Sequence, residues 1–99
     1  MLVDPALLGV ATTTETAGAA TMASAGAAAS PAISGVMPPG TDSVSVRAAV
    51  VLNARGAETT AILADYIAMR GLFAGAIGSS GATYSTVEGI NAATAALGG

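Results

Sequence analysis

Ninety-nine residues with six acids, three arginines, no lysine and no histidine carry a net charge of −3. Cysteine is absent as well, so zinc sites, thiolate nucleophiles, histidine-based triads, disulfides and a basic nucleic-acid face are all excluded. A 53% hydrophobic fraction against 9% charged is more apolar surface than one small domain hides in a single seam, and exposed apolar surface marks a partner site.

The chain opens with helix entry signals. Asp4 is placed to cap the first free N–H groups, and Pro5 fits the first helical position, where its missing N–H costs nothing. From there to about residue 30 the Ala-rich composition favours a helix. Leu7, Leu8, Val10, Ala11, Thr14, Gly18, Met22 and Ala25 give it a face of mostly small side chains. Pro31 ends this first helix (about 5–30) or kinks it, because the residue before a proline resists helical geometry. The run Val36-Met37-Pro38-Pro39-Gly40-Thr41-Asp42 then breaks the chain, and Thr41 or Asp42 caps a new helix. So short a link favours an antiparallel pair.

The second helix is expected over about 42–79, roughly 55 Å long at 1.5 Å per residue. Leu52, Thr59, Leu63, Tyr66, Phe73 and Ile77 recur at helical spacing and form one stripe, the expected partner interface. Tyr66, Met69 and Phe73 are an aromatic and thioether cluster on it. Arg47, Glu58 and Asp65 make a narrow charged strip, read as a solvated face rather than an acid/base pair: the two carboxylates are seven residues, about 10 Å, apart along a helix. Val46, Val50, Ala57, Ala64 and Ala74 supply a third, apolar sector. A helix apolar over most of its circumference is covered on several sides. The expected fold is therefore all-α, a single-domain antiparallel two-helix hairpin that completes a four-helix bundle with a partner protein.

Membrane readings fare worse. Asp65 and Arg70 interrupt the apolar stretch over 59–80 at about 2.5–3.5 kcal/mol each, and the uncharged stretch over 16–41 is Ala, Gly, Ser and Thr broken by prolines. Gly71-Leu72-Phe73-Ala74-Gly75 accordingly reads as close helix packing in a soluble complex rather than a membrane dimer motif. No Lys or Arg precedes Arg47, so no Sec signal peptide is expected. Gly78, Ser79, Ser80 and Gly81 weaken the helix, and 80–99 is expected as a C-terminal tail, with 83–97 a short helix of its own. No serine has a histidine or lysine to activate it, so no catalytic residue, metal or cofactor is expected.

Tyr84 and Glu88 lie four residues apart and share a helix face, presenting a phenol beside a carboxylate. Here the chain resembles the mycobacterial PE family. The segment from Val36-Met37-Pro38-Pro39 through Asp42-Ser43-Val44-Ser45 is similar to that family's inter-helix signature, and Tyr84-Ser85-Thr86-Val87-Glu88 to its Tyr-x-x-x-Asp/Glu secretion motif. Asn91-Ala92-Ala93 continues in the same pattern. Two positions depart from it: the family's Pro-Glu dipeptide is Pro5-Ala6, and Ser43 stands where a glutamate is common. The resemblance implies a 1:1 heterodimer with a PPE-family helical protein, engaged by an EspG-type chaperone only through that partner. It also implies assembly in the cytosol, export by an ESX (type VII) system with Tyr84 and Glu88 as the signal, and a secreted or envelope-associated destination. Its rivals are a self-associating helical bundle with a structural role and a hairpin that perturbs membranes after export. Expressed alone, the first predicts aggregation or disorder, the second a soluble oligomer, the third solubility only in detergent.

Overall fold

The computed structural model describes residues 2–98, which form two α-helices and no strand: α1, Pro5–Ser34, and α2, Ser43–Gly98. α1 begins as its entry signals dictate. Asp4 Oδ1 accepts the Ala6 N–H at 2.9 Å, and the Asp4 carbonyl accepts the Leu8 N–H at 3.2 Å. Thr12, Thr13, Thr14 and Thr16 each donate their hydroxyl to the carbonyl four residues back, so these polar side chains ask nothing of a neighbour. Pro31 does not end the helix, which continues one turn to Ser34, where the Ser34 hydroxyl donates to the Ser30 carbonyl at 2.5 Å. A proline forfeits one backbone hydrogen bond and crowds the preceding turn. The short run after it is all the helix adds.

α2 is capped by Asp42, whose carboxylate accepts the Ser45 N–H at 2.9 Å and the Ser45 hydroxyl at 2.7 Å. These bonds hold the Asp42 carboxyl below the usual aspartate pKa, the Ser45 backbone contact being the largest cause and the Ser45 hydroxyl the next. Contrary to the expected stop near residue 79, α2 passes through Gly78 and Gly81 and runs to Gly98.

Two packing units share these helices. In the unit formed by residues 19–69, the link turns the second half of α1 back onto the first half of α2 as an antiparallel hairpin. The link is held by a side chain that hydrophobic patterning does not single out. Asn53 Oδ1 accepts the Val36 N–H at 2.7 Å while Asn53 Nδ2 donates to the Val36 carbonyl at 3.1 Å. Both backbone groups of the residue before Met37-Pro38-Pro39 are thereby satisfied. The covered positions of α2 in this unit are 45, 49, 53, 56, 60, 63 and 67, mostly alternating between four and three apart. That is the 3.5-residue repeat of coiled-coil packing. Gly56 lies at the tightest point: a methyl there would overlap the Ile33 carbonyl oxygen and stand 3.1 Å from the Ser34 nitrogen. A methyl on Gly26 would stand 2.5 Å from Leu63 Cδ2.

In the unit formed by residues 2–18 and 70–98, the first half of α1 packs against the far part of α2. Positions 70, 74, 77, 81 and 84 continue the same spacing on α2, with Gly78 covered as well; Arg70 meets Glu15 and Gly18, Gly78 meets Thr12, and Gly81 meets Leu8 and Pro5. Gly81 approaches Leu8 Cβ to 3.3 Å and the Pro5 carbonyl oxygen to 3.7 Å, measured from where its own Cβ would stand. Close approach between helices thus runs on small residues. The buried hydrophobic side chains among the described residues are Ala49 and Ala74.

Candidate partner interface

What the seam leaves outside decides what this fold can do. In the 19–69 unit, Leu52, Ile62, Tyr66 and Met69 are between 53% and 70% exposed; in the other unit Leu72, Phe73, Val87 and Ile90 are exposed in the same way.

The expected stripe divides. Leu52, Thr59, Tyr66 and Phe73, spaced by sevens, are exposed, whereas Leu63 and Ile77 are half-buried on the intramolecular seam. Thr59 suits an apolar surface despite its hydroxyl, which donates to the Arg55 carbonyl at 2.9 Å. Beside this row, in the 19–69 unit, a cavity of about 300 Å³ opens between the helices, lined by Met22, Ala25, Gly26, Ala29, Ile33, Thr59, Thr60 and Leu63. On the helix's other flank a second groove of about 240 Å³ is lined by Ala23, Ala27, Ser30, Ala64 and Ile67 together with Gly26, Thr60 and Leu63. In this unit the flank of Leu52 and Tyr66 carries the bulkier side chains, and the other carries Val50 and Ala64 beside half-buried Ile67. On α1, Leu8, Ala11, Gly18 and Met22 take part in the seam, while Leu7, Val10, Thr14 and Ala25 face solvent. Arg47, Glu58 and Asp65 are exposed, and Glu58 sits 3.9 Å from Arg55, an exposed pair worth about 0–1 kcal/mol.

Besides Asn53, a polar pair was missed from sequence. Arg70 Nε donates to Glu15 Oε2 at 2.8 Å across the seam, with the two side chains 31% and 26% exposed. Gly18 makes room for it, since a Cβ there would overlap the Arg70 guanidinium. The signal available in the sequence was that Glu15 is the lone acid in the Ala-rich first helix.

Tyr84 is half-buried at the last covered position of α2 and Glu88 is exposed one turn on. Beside Tyr84 lies a shallow depression of about 580 Å³ lined by Ala76, Ser79, Ser80, Thr83, Tyr84 and Val87. Beyond it, residues 85–98 are helical and exposed throughout. Among the described residues no three acidic groups converge as a metal site would need. α2 is long and apolar enough to cross a membrane by length and composition.

A helical pair joined by small residues, with its large apolar side chains turned outward, is the architecture of a protein-interaction module. The chain belongs to the PE family, whose family model matches residues 1–91. It is similar to the PE family immunomodulator PE15 of Mycobacterium tuberculosis, 39% identical over 80 residues that cover 81% of this chain and 78% of the relative. It is also similar to the PE family immunomodulator PE5 of the same species, 36% identical over 75 residues covering 76% and 74%. No solved structure matches.

Proposed function

We propose that this chain is the non-enzymatic subunit of a 1:1 heterodimer with a PPE-family helical protein, exported by a type VII (ESX) system with Tyr84 and Glu88 as its signal. The observation that carries the reading is the outward placement of Leu52, Tyr66, Met69 and Phe73 while alanine and glycine close the hairpin. Fully covering one such side chain stabilises by about 1.5–3 kcal/mol, so laying two partner helices along this flank to make a four-helix bundle is strongly favoured. An EspG-type chaperone then acts through the partner, which leaves this chain's far end unobstructed. Membership of the PE family supports the partner class. That Mycobacterium tuberculosis relatives are named immunomodulators supports a secreted or envelope-associated destination.

The motif's position supports the signal role. Tyr84 closes the seam and Glu88 stands on the helix beyond it, so an export component can read both without opening the hairpin. A second reading, a self-associating or membrane-perturbing bundle, draws on the length and apolarity of α2. Co-expression separates the two. The heterodimer predicts a soluble 1:1 helical complex and an insoluble or unfolded lone chain; a folded homo-oligomer made without any partner would sink it. Tyr84→Ala and Glu88→Ala should abolish secretion while leaving the complex intact, and normal secretion of both variants would refute the signal assignment.

A further inference from the structure

The exposed row on α2 has a notch in it. Leu52 and Tyr66 are bulky, and Thr59, seven residues from each, is small. Resting on the heterodimer reading, we propose that the cavity beside Thr59 is an anchor socket of the interface, receiving one large apolar side chain, a leucine or an aromatic ring, from a helix of the PPE-family partner.

The sequence makes the cavity by leaving volume out. Where α1 meets α2 in the 19–69 unit, Gly26 lets the backbone come close to Leu63. Ala25 and Ala29 lie beside Gly26 in the wall, and their single methyls do not reach across to Thr59. The opening extends along α1 from Met22 to Ile33 and leaves about 300 Å³ of space. An apolar cavity of about 150 Å³ already accepts a benzene ring.

The wall chooses the chemistry of its guest. It holds no charged side chain, and its two hydroxyls donate to α2 itself: Thr59 to the Arg55 carbonyl at 2.9 Å, Thr60 to the Gly56 carbonyl at 3.0 Å. A polar or charged guest would give up water and find mostly methyl groups, whereas an apolar one gains contacts along both helices. The next cavity on this flank, about 350 Å³, shares Ile33 and Thr59 but includes Arg55 in its wall, so it does not select in the same way.

Thr59 belongs to both the row and the wall, so a helix laid along Leu52, Thr59 and Tyr66 passes over the socket. Coiled-coil packing seats each knob of one helix in a hole between side chains of its neighbour, and a row spaced by sevens is the register for it. A bulky apolar residue of the partner at the level of Thr59 fills the notch. A small one leaves the cavity open, and a charged one strands its own charge. The socket thus separates partners that share the same helical outline.

The test fills the socket from within. Ala25→Leu and Ala29→Leu each place a branched side chain in the cavity, on a helix that tolerates leucine well. The co-expressed complex with a PPE-family protein should weaken by about ten-fold or more for either variant, with helicity unchanged. Shortening one bulky partner residue to alanine should weaken the wild-type complex in the same degree and restore binding to the leucine variants. A merely misfolded chain would show no such reciprocal rescue. Ala27→Leu, in the groove on the opposite flank, should bind as wild type, and an equal loss there would overturn the choice of flank. Leucine variants that bind as tightly as wild type, or a loss that no partner truncation relieves, would overturn the socket while the heterodimer stands. Leucines that instead disrupt a homo-oligomer of this chain would also overturn it, by giving the cavity to a second copy. A wild-type chain that binds no PPE-family protein would remove the heterodimer reading itself.

Discussion

Gly56→Ala tests whether the close approach of the helices is what holds the 19–69 unit together. In the middle of an exposed helix this substitution stabilises by about 1 kcal/mol, because alanine is the better helix former. At Gly56 the new methyl would overlap the Ile33 carbonyl oxygen, and its next neighbours are also backbone, the Ile33 carbonyl carbon at 2.5 Å and the Ser34 nitrogen at 3.1 Å. No side-chain rotamer relieves that, so α1 and α2 must part locally. Overpacking of this kind costs about 1–3 kcal/mol, occasionally more, and outweighs the propensity gain. Gly9→Ala is the internal control: within this chain nothing lies within 4 Å of the added methyl, so the hairpin gains only the propensity term. Melting of the partner-bound complex, followed by circular dichroism, should move in opposite directions for the two variants. A change of 1 kcal/mol shifts the midpoint by about 2–8 °C depending on the size of the cooperative unit. If Gly56→Ala melts at or above wild type, the small-residue seam is not what fixes the helix separation.

The same geometry sets other outcomes. Asn53→Ala strands the Val36 N–H and carbonyl at a half-covered position, and should cost about 1–3 kcal/mol in the melting of the complex, with faster amide exchange at Val36. Asp42 has a depressed pKa, so its cap contributes above the ordinary aspartate range and is lost as pH falls through the lower folded value; acid should fray the first turn of α2, and Asp42→Asn should remove that component from a pH titration of amide exchange at Ser45 and Val46. Phe73→Ala should leave the helicity of the hairpin itself nearly unchanged, since Phe73 is exposed there, yet destabilise the heterodimer by about 3–5 kcal/mol if the partner buries it fully. An unaltered melting temperature of the complex would take Phe73 out of the interface.

The helices, their antiparallel turn and the capping role of Asp4 were readable because each rests on local chemistry: prolines that lack a donor, carboxylates one turn from free N–H groups. Of the two caps open for the second helix, Thr41 and Asp42, the structure uses Asp42. The seam was readable in part: the face read on α1 supplies Leu8, Ala11, Gly18 and Met22 to it. On α2, hydrophobic patterning weighs side-chain volume, and the stripe it picked out mixes outward Leu52, Tyr66 and Phe73 with Leu63 and Ile77 of the seam. Ala49, Gly56, Ala74 and Gly81 do the joining, and their signal is a spacing of small residues that an Ala-rich sequence hides. The same bias misplaced the end of α2. Gly78 and Gly81 weaken a lone helix, but here they face Thr12 and Leu8, and packing outweighs their propensity. Asn53, Glu15 and Arg70 act through partners 17 and 55 residues distant, a relation that periodicity does not record.

Residues 85–98 have another consequence. They prolong a helix already nucleated, so each added turn rests on propagation alone, with no packing to stabilise it. Unwinding them from the end breaks no contact of the seam and costs little free energy. Under tension these residues yield as an extended thread, while the joined helices before them keep their seam.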